Sequence, residues 1–282
     1  MINQKLITLT NPKMMKAQPL PDGEKYLTGI IHLSPFKISG RNVCANATTG
    51  KRGCVWSCLN TSGHGGIGKF KTNKVQLARI ARTNFWFDNP LEFRKQFLRE
   101  IGAMIRKAER LPEFQGVAIR PNGTSDLLNL ALALIGDVNK AFPNANVMFY
   151  DYTKNPWDFS KGAWILPNYH LTLSWSGETK NAINAHEALC EGVNVAGMIQ
   201  ETESQAMAKL EALTTYRAEI CGTTFSAVNF DNHDLRFLNS PDANGMGNVG
   251  LLSPKGKARK QSYPGFAGKV VNTRALFAPS GN

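Results

Sequence analysis

Short apolar strands alternate with helices along most of this chain, and this alternation constrains its fold more than any other feature. The strand-like segments cover residues 26–33, 116–120, 146–150, 169–174, 193–199 and 224–228. Helical stripes lie between them, the clearest at Phe93, Phe97, Ile101 and Ile105. This order predicts an α/β fold with a parallel sheet, and its regular spacing favours a (β/α) barrel, complete or incomplete. The alternative is a doubly wound fold, although no GxGxxG or P-loop motif supports it.

Composition changes divide the chain into three parts. Residues 1–22 read as an irregular N-terminal arm. Residues 23–238 form the barrel-like domain, which contains a cysteine-rich loop at 37–68 directly after the first strand. Residues 239–282 are rich in Gly, Pro, Lys and Arg, and they predict a basic tail.

The charge of the chain indicates an anionic partner. Lys and Arg number 33 against 21 Asp and Glu, for a net charge of +12. Residues 69–110 hold eleven basic and four acidic residues, so we expect these helices and the tail to contact the phosphates of double-stranded DNA. The alternative is a solvated basic face. The N-terminus lacks a signal-peptide pattern and no segment has the ~18 apolar residues of a membrane span, so we expect a cytoplasmic protein without membrane contact.

The cysteine-rich loop has the spacing of a candidate metal site. Cys44, Cys54, Cys58 and His64 follow the pattern C-x9-C-x3-C-x5-H in a loop of small polar residues. Zinc is commonly held by three Cys and one His, and such a site would order the loop. The same three thiols could instead hold an iron–sulfur cluster with one iron left open. A third interpretation is that the cysteines are simply buried.

Polar residues gather where the predicted strands end. In a (β/α) barrel the carboxyl ends of the strands form the active site, so these residues are expected to converge. Aspartates are the candidate catalytic groups, although Asp126 also suits a helix N-cap in TSDLLN. The candidate catalytic residues are Asp126, Asp151, Asp231 and Asp234, and the candidate substrate-binding residues are Arg120, Asn122, Ser125, Ser174 and Trp175.

The cysteine loop and the following helix resemble a family of phage proteins that is largely of unknown function. The shared pattern is LSPxxxSGxNxC…GCxxxCL, which begins here at Leu33 and ends at Leu59, followed by an Ala-Arg-x-Ala-Arg-Thr helix at residues 78–83. The later stretches HDLRFLN and KGKA fit as well, so the resemblance covers most of the chain.

These phage proteins are in turn similar to 7-deazaguanine DNA transglycosylases, relatives of the tRNA-guanine transglycosylases. That resemblance implies a TIM barrel, a Cys3His zinc, catalytic aspartates and the exchange of guanine in phage DNA for a 7-deazaguanine base. Such an exchange would protect the DNA from restriction in the cytoplasm of the infected host. The cysteines lie early here, whereas those enzymes carry C-x-C-x-x-C near the C-terminus. One alternative is an iron–sulfur enzyme of the radical type that uses Cys44, Cys54 and Cys58, and another is a zinc-stapled DNA-binding protein without enzymatic activity.

Overall fold

A computed structural model gives the arrangement of the chain. The residues that it describes are 5–9, 20, 25–48, 54–55, 58–67, 73–155, 166–199, 216–255, 258, 267–271 and 274–277. Part of the predicted tail, including the basic residues at 257, 259 and 260, lies outside them.

Among the described residues, eleven strands form one sheet. In chain order they are β1 Ile7–Thr8, β2 Lys25–Ile31, β3 Phe114–Arg120, β4 Val147–Thr153, β5 Tyr169–Ser174, β6 Val195–Ile199, β7 Tyr216–Ile220, β8 Thr223–Asn229, β9 Val249–Leu252, β10 Ala267–Val271 and β11 Arg274–Phe277. Strands β2 to β6 pair in parallel and in order, and β9 lies between β6 and β8 with parallel pairing to both. Strand β7 pairs antiparallel with β8 and parallel with β11, and β11 pairs antiparallel with β10, which runs parallel to the end of β6.

Five helices accompany the sheet in the described part of the chain. They are α1 Phe36–Ser39, α2 Lys74–Asp88, α3 Pro90–Arg110, α4 Leu128–Ala141 and α5 Thr179–Cys190. Asn73 caps α2 by accepting the N–H groups of Val75 and Gln76, and Pro90 at the start of α3 suits a position whose N–H needs no partner.

Two apolar cores form on the helix side of the sheet. In the first, the predicted stripe of α3 packs on alternate residues of β3 and β4, including Val117, Ile119 and Phe149. In the second, α5 packs against β5, β6, β8 and β9. A smaller cluster of Ala118, Tyr150 and Leu235 lies on the opposite face, which we call the open face of the sheet. A short 3-10 helix, Arg236–Leu238, packs against that face.

The predicted α/β fold with a mostly parallel sheet is confirmed, but the sheet is not closed into a barrel. A closing barrel would need the free edge of β2 to pair with the last parallel strand. That edge carries the short antiparallel strand β1 instead, so part of the predicted N-terminal arm belongs to the sheet. Leu6 and Ile7 are buried there, and the Glu100 carboxylate accepts their N–H groups at 2.9–3.0 Å. Part of the predicted tail also belongs to the sheet, as strands β9 to β11.

Candidate functional site

The cysteine loop docks against the turn that follows β3. Cys44 forms an isolated parallel bridge with Asp126, and the N–H of Asp126 donates to the carbonyl of Val43 at 2.7 Å. The loop that follows β2 thus lies at the carboxyl end of β3. Asp126 does not cap α4, which begins at Leu128. Its carboxylate accepts the backbone N–H of Lys154 at 2.9 Å, and burial raises its pKa.

The three thiols of the loop lie within range of one another's charge. Burial raises the pKa of Cys44 to about 12, and the charges of Asp126, Cys58 and Cys54 add to the increase. Burial also raises the pKa of Cys58, with Cys54 again adding to it. The nearby cations of Arg79 and Lys154 and the N–H of Asn60 act in the opposite direction. The convergence of Cys44, Cys54 and Cys58 on one point stays a prediction.

A buried polar network anchors the loop to α2. Asn60 is 1 % exposed, and Gln76 and Arg79 of α2 are 0 % and 8 % exposed. Arg79 Nη1 donates to Asn60 Oδ1 at 2.7 Å and to the Asn60 carbonyl at 3.0 Å. Gln76 accepts from Asn60 Nδ2 at 3.1 Å and donates to the carbonyls of Asn60 and Gly65. These hydrogen bonds therefore order the loop without a metal, which the sequence did not indicate.

A complete ligand set does not stand at this loop. Among the residues that the structure describes, no group of three or more His, Cys, Asp or Glu side chains is arranged to hold a metal ion. His64, the predicted fourth ligand, is exposed, and its carbonyl accepts from Asn73 Nδ2 at 2.9 Å. The predicted set of Cys44, Cys54, Cys58 and His64 is therefore not assembled in the described part of the chain, and a metal at this loop stays a prediction.

Asp151 lies on the helix side of the sheet, where it clamps the turn after β3. Its two carboxylate oxygens accept the backbone N–H of Asn122 at 2.8 Å and Asn122 Nδ2 at 2.9 Å, and Tyr169 Oη lies 3.4 Å away. Asn122 Oδ1 in turn accepts from Ser125 Oγ at 2.7 Å and from Leu127 N at 3.1 Å. Burial raises the pKa of Asp151 to about 7, against the opposing effects of Arg120 and Asn122. Three predicted site residues, Asp151, Asn122 and Ser125, therefore belong to one hydrogen-bonded cluster, which we call the clamp.

The open face carries a second group of buried polar side chains, which we call the polar cluster: Arg120, Tyr150, Tyr152, Asp234 and Arg236. Tyr150 Oη donates to Asp234 Oδ2 at 3.2 Å, and Arg120 Nη1 lies 3.7 Å from the same oxygen. The Arg120 guanidinium also lies over the Tyr152 ring, 4.4 Å from its centroid. Burial raises the pKa of Tyr152 to about 12.

His32 lies between the cysteine loop and the polar cluster. Burial lowers its pKa to about 3, and the charges of Arg79, Arg120 and Arg82 lower it further, so the imidazole is neutral at pH 7.

The remaining predicted residues lie further along the sheet. Asp231 Oδ2 accepts the N–H of Ser253 at 2.8 Å, and Lys255 Nζ lies 4.0 Å from its other oxygen. Ser174 is half-buried, and its carbonyl accepts from Asn181 Nδ2 at 3.3 Å. Trp175 is 2 % exposed and belongs to the apolar core under α5, a position that suits packing more than base stacking.

The basic residues of α2 and α3 have different environments. Arg79 and Arg82 of α2 are each only 8 % exposed, so they do not belong to a phosphate-binding surface as the sequence suggested. Arg94 forms two hydrogen bonds of 2.6 Å with Asp137. A stripe on α3 stays exposed, formed by Lys95, Arg99, Arg106, Lys107 and Arg110.

Sequence reasoning did not select Asn60, Gln76, Arg79, His32 or Tyr150 as site residues. The available signal for Arg79 was the Ala-Arg-x-Ala-Arg-Thr pattern, in which arginines stand among small residues on α2. Within the described ranges, no helix has the length and apolar character to cross a membrane.

Of the comparisons with known proteins, one gives a match. No curated protein and no solved structure matches this sequence. The model of one family, Gene product 88, matches residues 4–264. That match spans the cysteine loop, the clamp around Asp151 and the polar cluster, and the chain therefore belongs to the Gene product 88 family.

Proposed function

We propose that this protein is an iron–sulfur enzyme of the radical type, in which Cys44, Cys54 and Cys58 hold the cluster. One observation carries the proposal: the loop that holds Cys44, Cys54 and Cys58 follows the first parallel strand, and Cys44 forms a bridge with Asp126 beside the end of the second. We further propose that the parallel strands curve as an incomplete (β/α) barrel around the polar cluster, so that the loop stands at its mouth.

The number of thiols favours a cluster over zinc. Three cysteines can hold a cluster and leave one iron open, whereas a structural zinc needs a fourth ligand. When bound, such a cluster supplies one-electron chemistry at its open iron.

The protein's own residues have defined tasks around that site. Burial raises the pKa values of Cys44 and Cys58, so binding of the metal group must release protons from these two thiols. Arg79 and Lys154 carry the positive charge that stabilises the resulting thiolates. The network of Asn60, Gln76 and Arg79 fixes the loop before any metal arrives.

The test is metal and sulfide analysis of protein reconstituted without oxygen. We expect about four irons and about four sulfides per chain, as for a [4Fe–4S] cluster. Cys44→Ser, Cys54→Ser and Cys58→Ser should each lose most of the iron. Cys190→Ser and Cys221→Ser make the same chemical change at exposed thiols and should retain it.

Equal iron content in all five variants would contradict the cluster assignment. Zinc without sulfide would instead support a DNA-guanine transglycosylase with a structural zinc, or a zinc-stapled DNA-binding protein without enzymatic activity.

The second candidate is a DNA-guanine transglycosylase, favoured by the buried carboxylates Asp126 and Asp151 near the carboxyl ends of parallel strands. In this reaction a carboxylate oxygen bonds to C1′ as the bond to guanine N9 breaks and the leaving guanine takes up a proton. The incoming 7-deazaguanine base then loses its N9 proton and displaces the carboxylate. The exposed stripe of α3 would hold the double-stranded DNA. Zinc bound by the cysteines would then have a structural role, and the product would be phage DNA protected from host restriction.

Asp126 is the better nucleophile of the two. Both oxygens of Asp151 are occupied by donors of Asn122, whereas Asp126 stands beside the cysteine loop. In cells supplied with the deazaguanine precursor, nucleoside analysis of DNA should show the modified base with wild-type protein. Asp126→Asn should reduce its amount ~10²-fold or more, because the negative charge opposite C1′ is lost.

Asp88→Asn is the matched control, since it removes an exposed carboxylate paired with Arg41 and should retain full incorporation. Absence of the modified base with wild-type protein would exclude this candidate. Full incorporation by Asp126→Asn would move the role to Asp151, Asp231 or Asp234.

A further inference from the structure

The open face of the sheet presents hydrogen-bonding atoms that the fold itself leaves unsatisfied. Among the described residues, Arg120 Nε, Arg236 Nη1, Thr172 Oγ1 and His32 Nδ1 are buried polar atoms with no hydrogen-bond partner. Buried polar atoms are normally paired, so four such atoms from four separate elements need an explanation.

These atoms face one region. Tyr152 and Thr172 are paired in register on β4 and β5, and Tyr150 is paired with His170, so their side chains point to the same face. Arg120 lies over the Tyr152 ring. The charge of Arg236 acts on both Tyr152 and His170, which places its guanidinium beside the same strands.

Arg236 differs from the other cations of this region because no carboxylate lies within ion-pair distance of it among the described residues. Asp234 is 3.7 Å from Arg120, and Asp231 is 4.0 Å from Lys255. Arg236 is 0 % exposed, and its hydrogen bonds are to neutral backbone carbonyls of Phe230 and Asp234, each at 3.3 Å. A buried guanidinium without a counter-charge is costly, and a bidentate oxyanion is the partner that best matches its geometry.

The position of Arg236 is built into the sheet. Its guanidinium carbon lies 3.8 Å from the centroid of the Phe230 ring. That ring in turn lies directly over Gly250 of β9, where a side chain would overlap it. The sheet thus supports the aromatic ring and the ring supports the cation, which is a rigid arrangement typical of a binding site.

We propose that the open face binds an oxyanion, a phosphate or a carboxylate of a small molecule, between Arg236, Arg120 and the Thr172 hydroxyl. Arg236 supplies the unmatched charge, and Arg120 Nε and Thr172 Oγ1 supply two further donors. This site goes beyond the proposed function and does not depend on a metal at the cysteine loop.

The test is calorimetric titration of the full-length protein with inorganic phosphate, acetate and deoxyguanosine monophosphate in separate arms. Wild-type protein should bind at least one of them, and the arm with the highest affinity distinguishes a free phosphate, a carboxylate and a nucleotide phosphate. Arg236→Lys should weaken binding about tenfold or more, because the bidentate fork is lost. Thr172→Val keeps the side-chain shape and removes one hydroxyl, so it should weaken binding about fivefold.

Two further variants serve as controls. Lys140→Met removes an exposed cation of α4 and should bind as wild type does. Cys190→Ser, at an exposed thiol, should also bind normally, and so should wild-type protein prepared without iron, so a failure of the cluster proposal would leave this one standing. Absence of binding in all three arms would overturn the proposal, as would equal affinity in wild type, Arg236→Lys and Thr172→Val, which would show that buried waters satisfy these donors.

Discussion

Replacing Gly250 with alanine should lower the free energy of unfolding by about 3 kcal/mol, at the upper end of the cost of overpacking a core. A Cβ atom at Gly250 would stand 2.0 Å from two carbons of the Phe230 ring. Gly250 lies in β9 between β6 and β8, so the backbone cannot retreat without breaking its pairing with both neighbours. The ring must therefore move, and Arg236 with it.

Urea denaturation of Gly250→Ala beside Gly136→Ala measures this effect. Gly136 is exposed in the middle of α4, and a Cβ atom there would meet no atom within 4 Å. The same substitution should therefore stabilise the protein by about 0.7 kcal/mol through higher helix propensity. If Gly250→Ala unfolded at the wild-type urea concentration, Phe230 would not occupy the place over β9 described above.

The Asp151 carboxyl should make the protein less stable as the pH rises from about 4 to about 7. Burial raises the pKa of Asp151 to about 7, against about 3.9 for an aspartate in an unfolded chain. Below both pKa values the Asp151 carboxyl is protonated in the folded and in the unfolded protein, so its ionisation does not affect stability. Between about pH 4 and about pH 7 the carboxyl is ionised in the unfolded chain but still protonated in the folded protein, so the free energy of unfolding falls progressively. The decrease is complete once the pH passes the pKa of Asp151 in the folded protein.

Comparison of wild type with Asp151→Asn isolates this contribution. Asparagine cannot ionise, so the stability of wild type relative to the variant should fall by about 3 kcal/mol between pH 5 and pH 8, given 1.36 kcal/mol per pKa unit. Asp88→Asn, at an exposed carboxylate, controls for the loss of one charge from the chain. A pH-independent difference for Asp151→Asn would mean that the donors of Asn122 outweigh burial and keep the carboxylate ionised.

The amino-acid sequence determined the class of fold and the end of the sheet at which polar residues gather. Apolar strands of five to eight residues that alternate with helices indicate a parallel sheet with helices packed on it. The loop with Cys44, Cys54 and Cys58 follows the first parallel strand as the order of segments predicted.

The face to which each strand-end residue points was decided by the tertiary structure alone. Tyr150, Asp151 and Tyr152 are consecutive, yet Asp151 faces the helices and the two tyrosines face the polar cluster, because side chains alternate along a strand. A strand that is buried on both sides is apolar on both sides, so its sequence does not reveal which face belongs to which layer.

Contacts between segments that are distant in sequence could also not be predicted from the sequence. The four residues of β9 lie in a segment that reads as a tail, and they become a strand because β6 and β8 offer hydrogen-bonding edges on either side. Arg79 and Arg82 read as surface cations, and they are buried because the cysteine loop and residues 5–9 pack over α2 and supply carbonyl acceptors. Those acceptors are distant in sequence, and only the folded chain brings them to the arginines.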